Sequence, residues 1–184
     1  MDGVITTRVG YAGGTKERPT YRRMGDHTEC VQVVYDPETI TYEQLLDAFF
    51  AMHEPTRRAH GVQYESLILT HDDGQHAAAL SAAERWSAVL GRTPVTRIEP
   101  YRGFTLAEDY HQKYALRADR GMMVRMRAHY HDDDALREST AAARLNGYLY
   151  GAGSPLQLES EIETLGLDAE GRSRLEHFVS RRLR

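Results

Sequence analysis

Alternating apolar and polar positions mark the first elements of the chain. Residues 4–10, VITTRVG, are rich in β-branched types and read as a strand that runs into YAGGTKERP, a glycine and proline loop. Residues 28–35, TECVQVVY, read as a second strand, stopped by the Asp36-Pro37 turn signal. The period then lengthens. In TITYEQLLDAFFAMHEP the apolar Leu45, Leu46, Phe49 and Met52 share one helical face, Thr41 and Gln44 form a capping box, and Pro55 lies past the end.

Further along, ESLILT is a short apolar strand, and HDDGQHAAALSAAERWSAVLG is a long amphipathic helix with Asp72 or Asp73 at its cap and Gly91 at its stop. Trp86 recurs there with Ala83 and Leu90, which makes it a core residue rather than a ligand platform. VTRIEPY is β-like and precedes a loop and the helical stretch LAEDYHQKYALRA. Strands separated by helices at short range indicate an α/β or α+β sandwich with one layer of sheet. From Asp119 the chain turns charged, alanine-rich and helical, and two or three short helices with glycine stops are expected. Residues 1–118 therefore read as an α+β core, with 119–184 as a helical C-terminal extension packed on it within the same domain.

Composition narrows the function classes. The 184 residues fit one domain, and 41% hydrophobic with 27% charged residues is the balance of a soluble globular protein. The single cysteine, Cys30, excludes an internal disulfide and a thiolate metal cluster and gives no reason for an oxidising compartment, so a cytoplasmic location is expected. A net charge of -4 gives no electrostatic reason for nucleic acid, and the terminal run Arg181, Arg182 and Arg184 reads as a solvated helix end. No apolar run reaches the ~20 residues that span a bilayer. The start, MDGVITTRV, lacks the layout of a signal peptide and looks like the approach to a strand.

Two clusters have the residue types of a site. HYHDDD, residues 129–134, has metal-donor types, but two histidines one residue apart share a side only in a strand, and this segment precedes a helix that Asp133 or Asp134 is placed to cap. Metal binding is therefore a distant alternative. Glu108, Asp109 and His111 in AEDYHQKY point to a polar network, for which structural hydrogen bonding is favoured over function.

Five segments in order, RVGYAGGTKERPTY, GDHTECVQVVYDP, YEQLLDAFFAMHEPT, QYESLIL and AEDYHQKY, resemble the peptide methionine sulfoxide reductases of the A type. STAAARLNGYLYG also looks like a C-terminal extension carried by some members. The resemblance implies a two-layer α+β sandwich, a ferredoxin-like plait, and reduction of the S epimer of methionine sulfoxide, free or in proteins. It further implies a role in repair under oxidative stress, thioredoxin or another thiol as reductant, and no cofactor, nucleic acid or membrane. In the family a thiolate attacks the sulfoxide sulfur while a carboxylic acid protonates the leaving oxygen, giving methionine and a sulfenic acid. That proton donor maps to Glu29, whose protonation burial would favour. The two tyrosines that hydrogen-bond the sulfoxide oxygen map to Tyr21 and Tyr64.

Three departures accompany the resemblance. The family's nucleophile lies in a Gly-Cys-Phe-Trp segment at a helix N-terminus, and this sequence contains no counterpart of it, of the strand before it or of its aromatic pair. The segment between HEPT and QY is a short one, RRAHGV, and no resolving cysteine follows AEDYHQKY. Cys30 does not replace the nucleophile: in a strand Glu29 and Cys30 point to opposite faces, and a strand interior lacks the helix dipole that lowers a thiol pKa. The expected fold therefore lacks its first, internal strand and first helix, leaving an open groove. Met1 is expected to be an internal methionine of a longer reading frame, and the chain as it stands to be inactive. The rival reading is a non-catalytic protein that binds methionine or its sulfoxide through Tyr21, Glu29 and Tyr64, or a structural remnant.

Overall fold

The computed structural model describes residues 1–182; Arg184 of the terminal basic run lies outside the described residues. Strands β1 (Val4–Ala12) and β2 (Thr28–Tyr35) form an antiparallel pair whose register is continuous from Thr6↔Val34 to Ala12↔Thr28, with one irregularity between Val4 and Thr6. The loop between them turns back on itself through Gly13 at φ 76° and Gly25 at φ 71°, conformations that favour glycine. A short strand, β5 (Phe104–Leu106), pairs with the other edge of β1. Gly10 is needed for that pairing: a Cβ there would fall 2.3 Å from the Phe104 ring and 2.5 Å from the Thr105 carbonyl oxygen. Beyond β5 the ladder is continued by a side chain, because the Gln112 amide accepts from Val9 N at 2.9 Å and donates to Val9 O at 2.7 Å.

Strands β3 (Leu67–Thr70) and β4 (Arg97–Pro100) are parallel and form a separate sheet. Helix α2 (Asp73–Leu90) makes the crossover that a parallel pair requires and packs on both strands. Among the described strands there are two hydrogen-bonded sheets, ordered β2-β1-β5 and β3-β4. The fold remains mixed α/β.

Helix α1 (Tyr42–Ala51) starts with the expected capping box: Thr41 Oγ1 accepts from Gln44 N at 3.2 Å and Gln44 Oε1 from Thr41 N at 2.8 Å. Its buried face is Leu46 and Phe50, four positions apart, against Ile68, Ala79 and Ala82. Met52 is 79% exposed, so the face differs from the one the sequence predicts. Asp72 is the cap of α2 and Gly91, at φ 63°, its stop. Trp86 is half-buried, stacks on Phe50 with centroids 6.1 Å apart and donates to Asp47 at 2.9 Å, while Leu90 is exposed.

The stretch LAEDYHQKYALRA is not one helix. A 3-10 turn, Asp109–His111, is cut from α3 (Tyr114–Ala118) by Lys113 at φ 52°. Helices α4 (Arg120–Arg127), α5 (Asp133–Glu138), α6 (Thr140–Tyr150), α7 (Pro155–Glu161) and α8 (Ala169–Arg182) follow, five where two or three are expected. Each of the first four starts at its own side-chain N-cap, Asp119, Asp132, Ser139 and Ser154. In HYHDDD it is Asp132 that caps α5; Asp133 pairs with Arg117 at 2.6 Å and with Arg127, and His129 bonds the Gly166 carbonyl at 2.9 Å. These helices share an apolar core around Leu116, Met122, Met126, Leu136, Leu145 and Leu175. They are tied to β1 by Thr6 Oγ1 donating to Arg137 O at 2.8 Å and by the Arg8–Glu138 pair.

Candidate functional site

The β1–β2 ladder sets Tyr11 directly opposite Glu29. Cross-strand partners share a face, so the half-buried Glu29 carboxyl lies on the side where Tyr11 is buried. The Tyr11 hydroxyl donates to Glu108 Oε2 at 2.6 Å, and Glu108 Oε1 accepts from the backbone N–H of Tyr21 at 3.3 Å. Glu108 thereby links the strand that faces Glu29 to the turn that carries Tyr21. The Tyr21 ring packs 4.6 Å from the His111 ring, which in turn lies 4.2 Å from Tyr110.

Tyr64 arrives from a different loop. Its 3-10 turn, Val62–Tyr64, is fastened to β2 twice: Thr28 Oγ1 donates to Val62 O at 2.8 Å, and the Gln63 amide donates to Glu29 Oε1. The result places Tyr64 beside Tyr21 and within electrostatic reach of Glu29. Tyr21 is 39% exposed and Tyr64 62%, so the two adjacent phenols form an open mouth at the surface. Tyr21, Glu29 and Tyr64, separated in sequence, are brought together.

Electrostatics follow the contacts. Burial first, then the Glu108 carboxylate beside its hydroxyl, push the Tyr11 phenol far above its ordinary range. Burial of Glu108 opposes ionisation, but the Tyr11 hydroxyl and backbone N–H groups, Tyr21's among them, outweigh it and hold its pKa below the ordinary value. Tyr64 is raised chiefly by the neighbouring Tyr21 hydroxyl.

The loop bearing Tyr21 is held by the residues just before Glu29. Asp26 accepts from Thr15 N and Thr15 Oγ1, both at 2.8 Å, and from Lys16 N at 3.1 Å. Those bonds, led by the Thr15 hydroxyl, hold the Asp26 carboxyl well below the usual carboxylate range. His27 is buried and joins both ends: Nδ1 accepts from Gly14 N at 3.3 Å, so Nε2 carries the proton it donates to Lys16 O at 2.8 Å. Tyr11 and Gln63 belong to the candidate site without being expected from the sequence, although both stand inside the segments that carry the resemblance.

Cys30 is paired with Gly10 in unbroken register, so its side chain points to the face opposite Glu29. Burial pushes its thiol up to about 11, against a weaker opposing effect from a backbone bond and Arg97. Its Sγ donates to the Thr28 carbonyl at 3.5 Å.

A family model described as Peptide methionine sulfoxide reductase matches residues 1–144. The peptide methionine sulfoxide reductase of Drosophila melanogaster is 41% identical over 174 residues, covering 90% of this chain and 67% of the fly protein. The chain belongs to the peptide methionine sulfoxide reductase family. Peptide methionine sulfoxide reductase A5 of Oryza sativa subsp. japonica is 40% identical over 162 residues, 84% of this chain and 63% of the rice protein. The chain thus spans about two thirds of the length of these family members. Among solved structures of the family, Mxr1 from Saccharomyces cerevisiae in reduced form superposes with a TM-score of 0.60 at 33% identity, covering 64% of this chain and 73% of that one. Methionine sulfoxide reductase A of Corynebacterium diphtheriae gives a TM-score of 0.57 at 34% identity over 64% of this chain and 65% of that one. The fly relative's match is long enough to continue past α6, so the likeness includes part of the C-terminal helices as well as the strands.

Proposed function

We propose that this chain carries the sulfoxide-recognition and proton-donating side of a peptide-methionine (S)-S-oxide reductase. The observation that supports it most is that Tyr64 stands beside Tyr21 and within electrostatic reach of Glu29, while Gln63 of its turn donates to the Glu29 carboxyl and Tyr21 is linked through Glu108 to Tyr11 of β1. In this reading the two phenols donate to the sulfoxide oxygen and Glu29 supplies a proton to it. A thiolate bonds to the sulfur of the protonated sulfoxide; that sulfur–sulfur bond and the sulfur–oxygen bond then break as the hydroxyl passes to the attacking sulfur, giving a sulfenic acid and free methionine. Thioredoxin or another dithiol then reduces the sulfenic acid, forming a disulfide and water. The activity would serve repair of oxidised proteins in the cytoplasm.

Cys30 is not that thiolate in this reading, because it faces away from Glu29 and holds its proton at neutral pH. The 184-residue chain is therefore expected to bind methionine sulfoxide without turning it over. Calorimetry with a peptide containing the S epimer, the R epimer or reduced methionine tests recognition, and release of methionine in dithiothreitol tests turnover. Preference for the S epimer with no turnover is the expected result. Equal affinity for sulfoxide and methionine, or turnover lost in Cys30→Ser, would overturn the reading.

A further inference from the structure

Cationic side chains are unevenly employed in this molecule. In the C-terminal helices Arg117, Arg125, Arg127, Arg137, Arg144 and Arg174 all have carboxylate partners. Around the mouth formed by Tyr21 and Tyr64 the opposite holds. Residues 16–23 and 54–61, which lead into or carry those tyrosines, contain six lysines and arginines against two glutamates, in a chain whose net charge is -4. Arg18, Arg22, Arg23, Arg57 and Arg58 are exposed, and none is in an ion pair among the described residues. Arg22 and Arg23 share the 3-10 turn of Tyr21.

Next to Tyr64 a groove of about 380 Å³ opens, lined by Phe49, His53, Arg57, Arg58 and His60 among others. Its floor is fixed: His53 is bonded to Phe49 O and to Ser66 Oγ, both at 2.8 Å, and its ring packs 4.7 Å from Phe49. Of the two carboxylates on the lining, Glu65 is held by Arg97 at 2.9 Å, which leaves Glu54 as the opposing charge. The groove is thus an aromatic floor with a basic rim that starts at a sulfoxide-reading tyrosine.

We infer that this groove and rim select polypeptide substrates in which acidic residues flank the methionine sulfoxide, the flanking backbone lying on Phe49 and His53 and its carboxylates meeting Arg57 and Arg58. The inference rests on the sulfoxide reading of Tyr21, Glu29 and Tyr64 and adds a substrate class to it. Free methionine sulfoxide has no flanking residues to fill the groove. A nucleic acid would meet the same charge, but it carries no sulfoxide for Tyr64 and Glu29 to read, and among the described residues the groove holds only Arg57 and Arg58 as lining cations, too few to follow a phosphate backbone.

Fluorescence anisotropy of the 184-residue chain with labelled peptides tests this, using methionine sulfoxide between glutamates, the same peptide with glutamines, and the glutamate peptide with reduced methionine. The glutamate sulfoxide peptide is expected to bind about five-fold tighter than the glutamine one at low salt, as a few screened surface charge pairs would give, with the gap closing at high salt. The double variant Arg57→Gln/Arg58→Gln should erase the gap, while Arg92→Gln/Arg102→Gln, unpaired cations elsewhere, should leave it. Equal binding of the glutamate and glutamine peptides, or a gap that survives loss of Arg57 and Arg58, would overturn the inference while sparing the sulfoxide reading. Displacement of the acidic peptide by a lower concentration of oligothymidylate would overturn it in favour of nucleic acid. Equal binding of the sulfoxide and reduced glutamate peptides, with the arginine effect intact, would instead overturn the sulfoxide reading.

Discussion

Tyr11 and Glu29 face each other across the β1–β2 ladder, and it is through Tyr11 that the candidate acid is coupled to Glu108 and from there to Tyr21. Tyr11→Phe keeps the ring in the core and removes only the hydroxyl that Glu108 accepts. A bond to a charged acceptor is worth about 1.5–3 kcal/mol, and a loss near the lower end is expected at neutral pH. Because the Glu108 pKa is lowered in the folded state, its stabilisation is complete above the ordinary value of 4.5 and disappears as pH falls through the folded one. Urea denaturation of both proteins at neutral and acid pH should show the gap between them narrowing on the acid side.

The Cys30 thiol should behave as an inert, half-buried group. With its pKa pushed up to about 11, iodoacetamide should alkylate it far more slowly at neutral pH than it alkylates a free thiol, and faster as pH approaches that value. Between the ordinary 9.0 and the folded value the native state keeps a proton that the unfolded chain has lost, so this group makes stability fall as pH rises through that window. Cys30→Ser should leave sulfoxide-peptide binding unchanged. Rapid alkylation at neutral pH would contradict the burial argument.

Much of the fold was legible because local signals and tertiary packing agree in the first half of the chain. Thr41 with Gln44, Asp72 with Gly91, and the β-branched runs of β1 and β2 specify their elements without help. What was not legible depends on partners distant in sequence. β5 is three residues long and is a strand only because β1 offers it an edge, and AEDYHQKY loses its helix because Gln112 and Lys113 bond to β1 instead. The same holds for the site. Tyr21, Glu29 and Tyr64 came from the resemblance, whereas Tyr11 and Gln63 become visible only once the ladder and the Val62–Tyr64 turn are built.

Gly10 should be among the least tolerant positions of β1. A methyl there meets the Phe104 ring and, more stubbornly, the Thr105 carbonyl oxygen, which cannot move without breaking the β1–β5 pairing. Gly10→Ala is expected to cost about 1–3 kcal/mol through overpacking. Since Tyr11 pairs with Thr105 in that ladder, the damage should also reach the site. Weakened sulfoxide-peptide binding alongside a lowered melting temperature is the expected pair of results, and a fully stable Gly10→Ala would show that β5 is dispensable.

Lys113 gives the molecule an opposite pH response from that of Cys30. Its buried ammonium donates to Thr7 O at 2.6 Å, Thr7 Oγ1 at 3.2 Å and Thr6 Oγ1 at 3.4 Å. These bonds do not compensate for its burial, which lowers its pKa from 10.5 to about 8. Below that value the native state holds the cation at a cost. Between about 8 and 10.5 the unfolded chain binds more protons than the native one, so this group makes stability rise with pH, by roughly 3 kcal/mol across the window. Lys113→Met removes the cost together with the hydrogen bonds, so it should lie within about 1 kcal/mol of the parent at neutral pH. It should then fall behind as pH rises, because it lacks the alkaline gain. The comparison is best made in Cys30→Ser, where the opposing thiol titration is absent, and as a difference between two proteins, which cancels the tyrosines. A difference in unfolding free energy that stays flat from neutral pH to about pH 10 would show that Lys113 is not buried as a depressed cation.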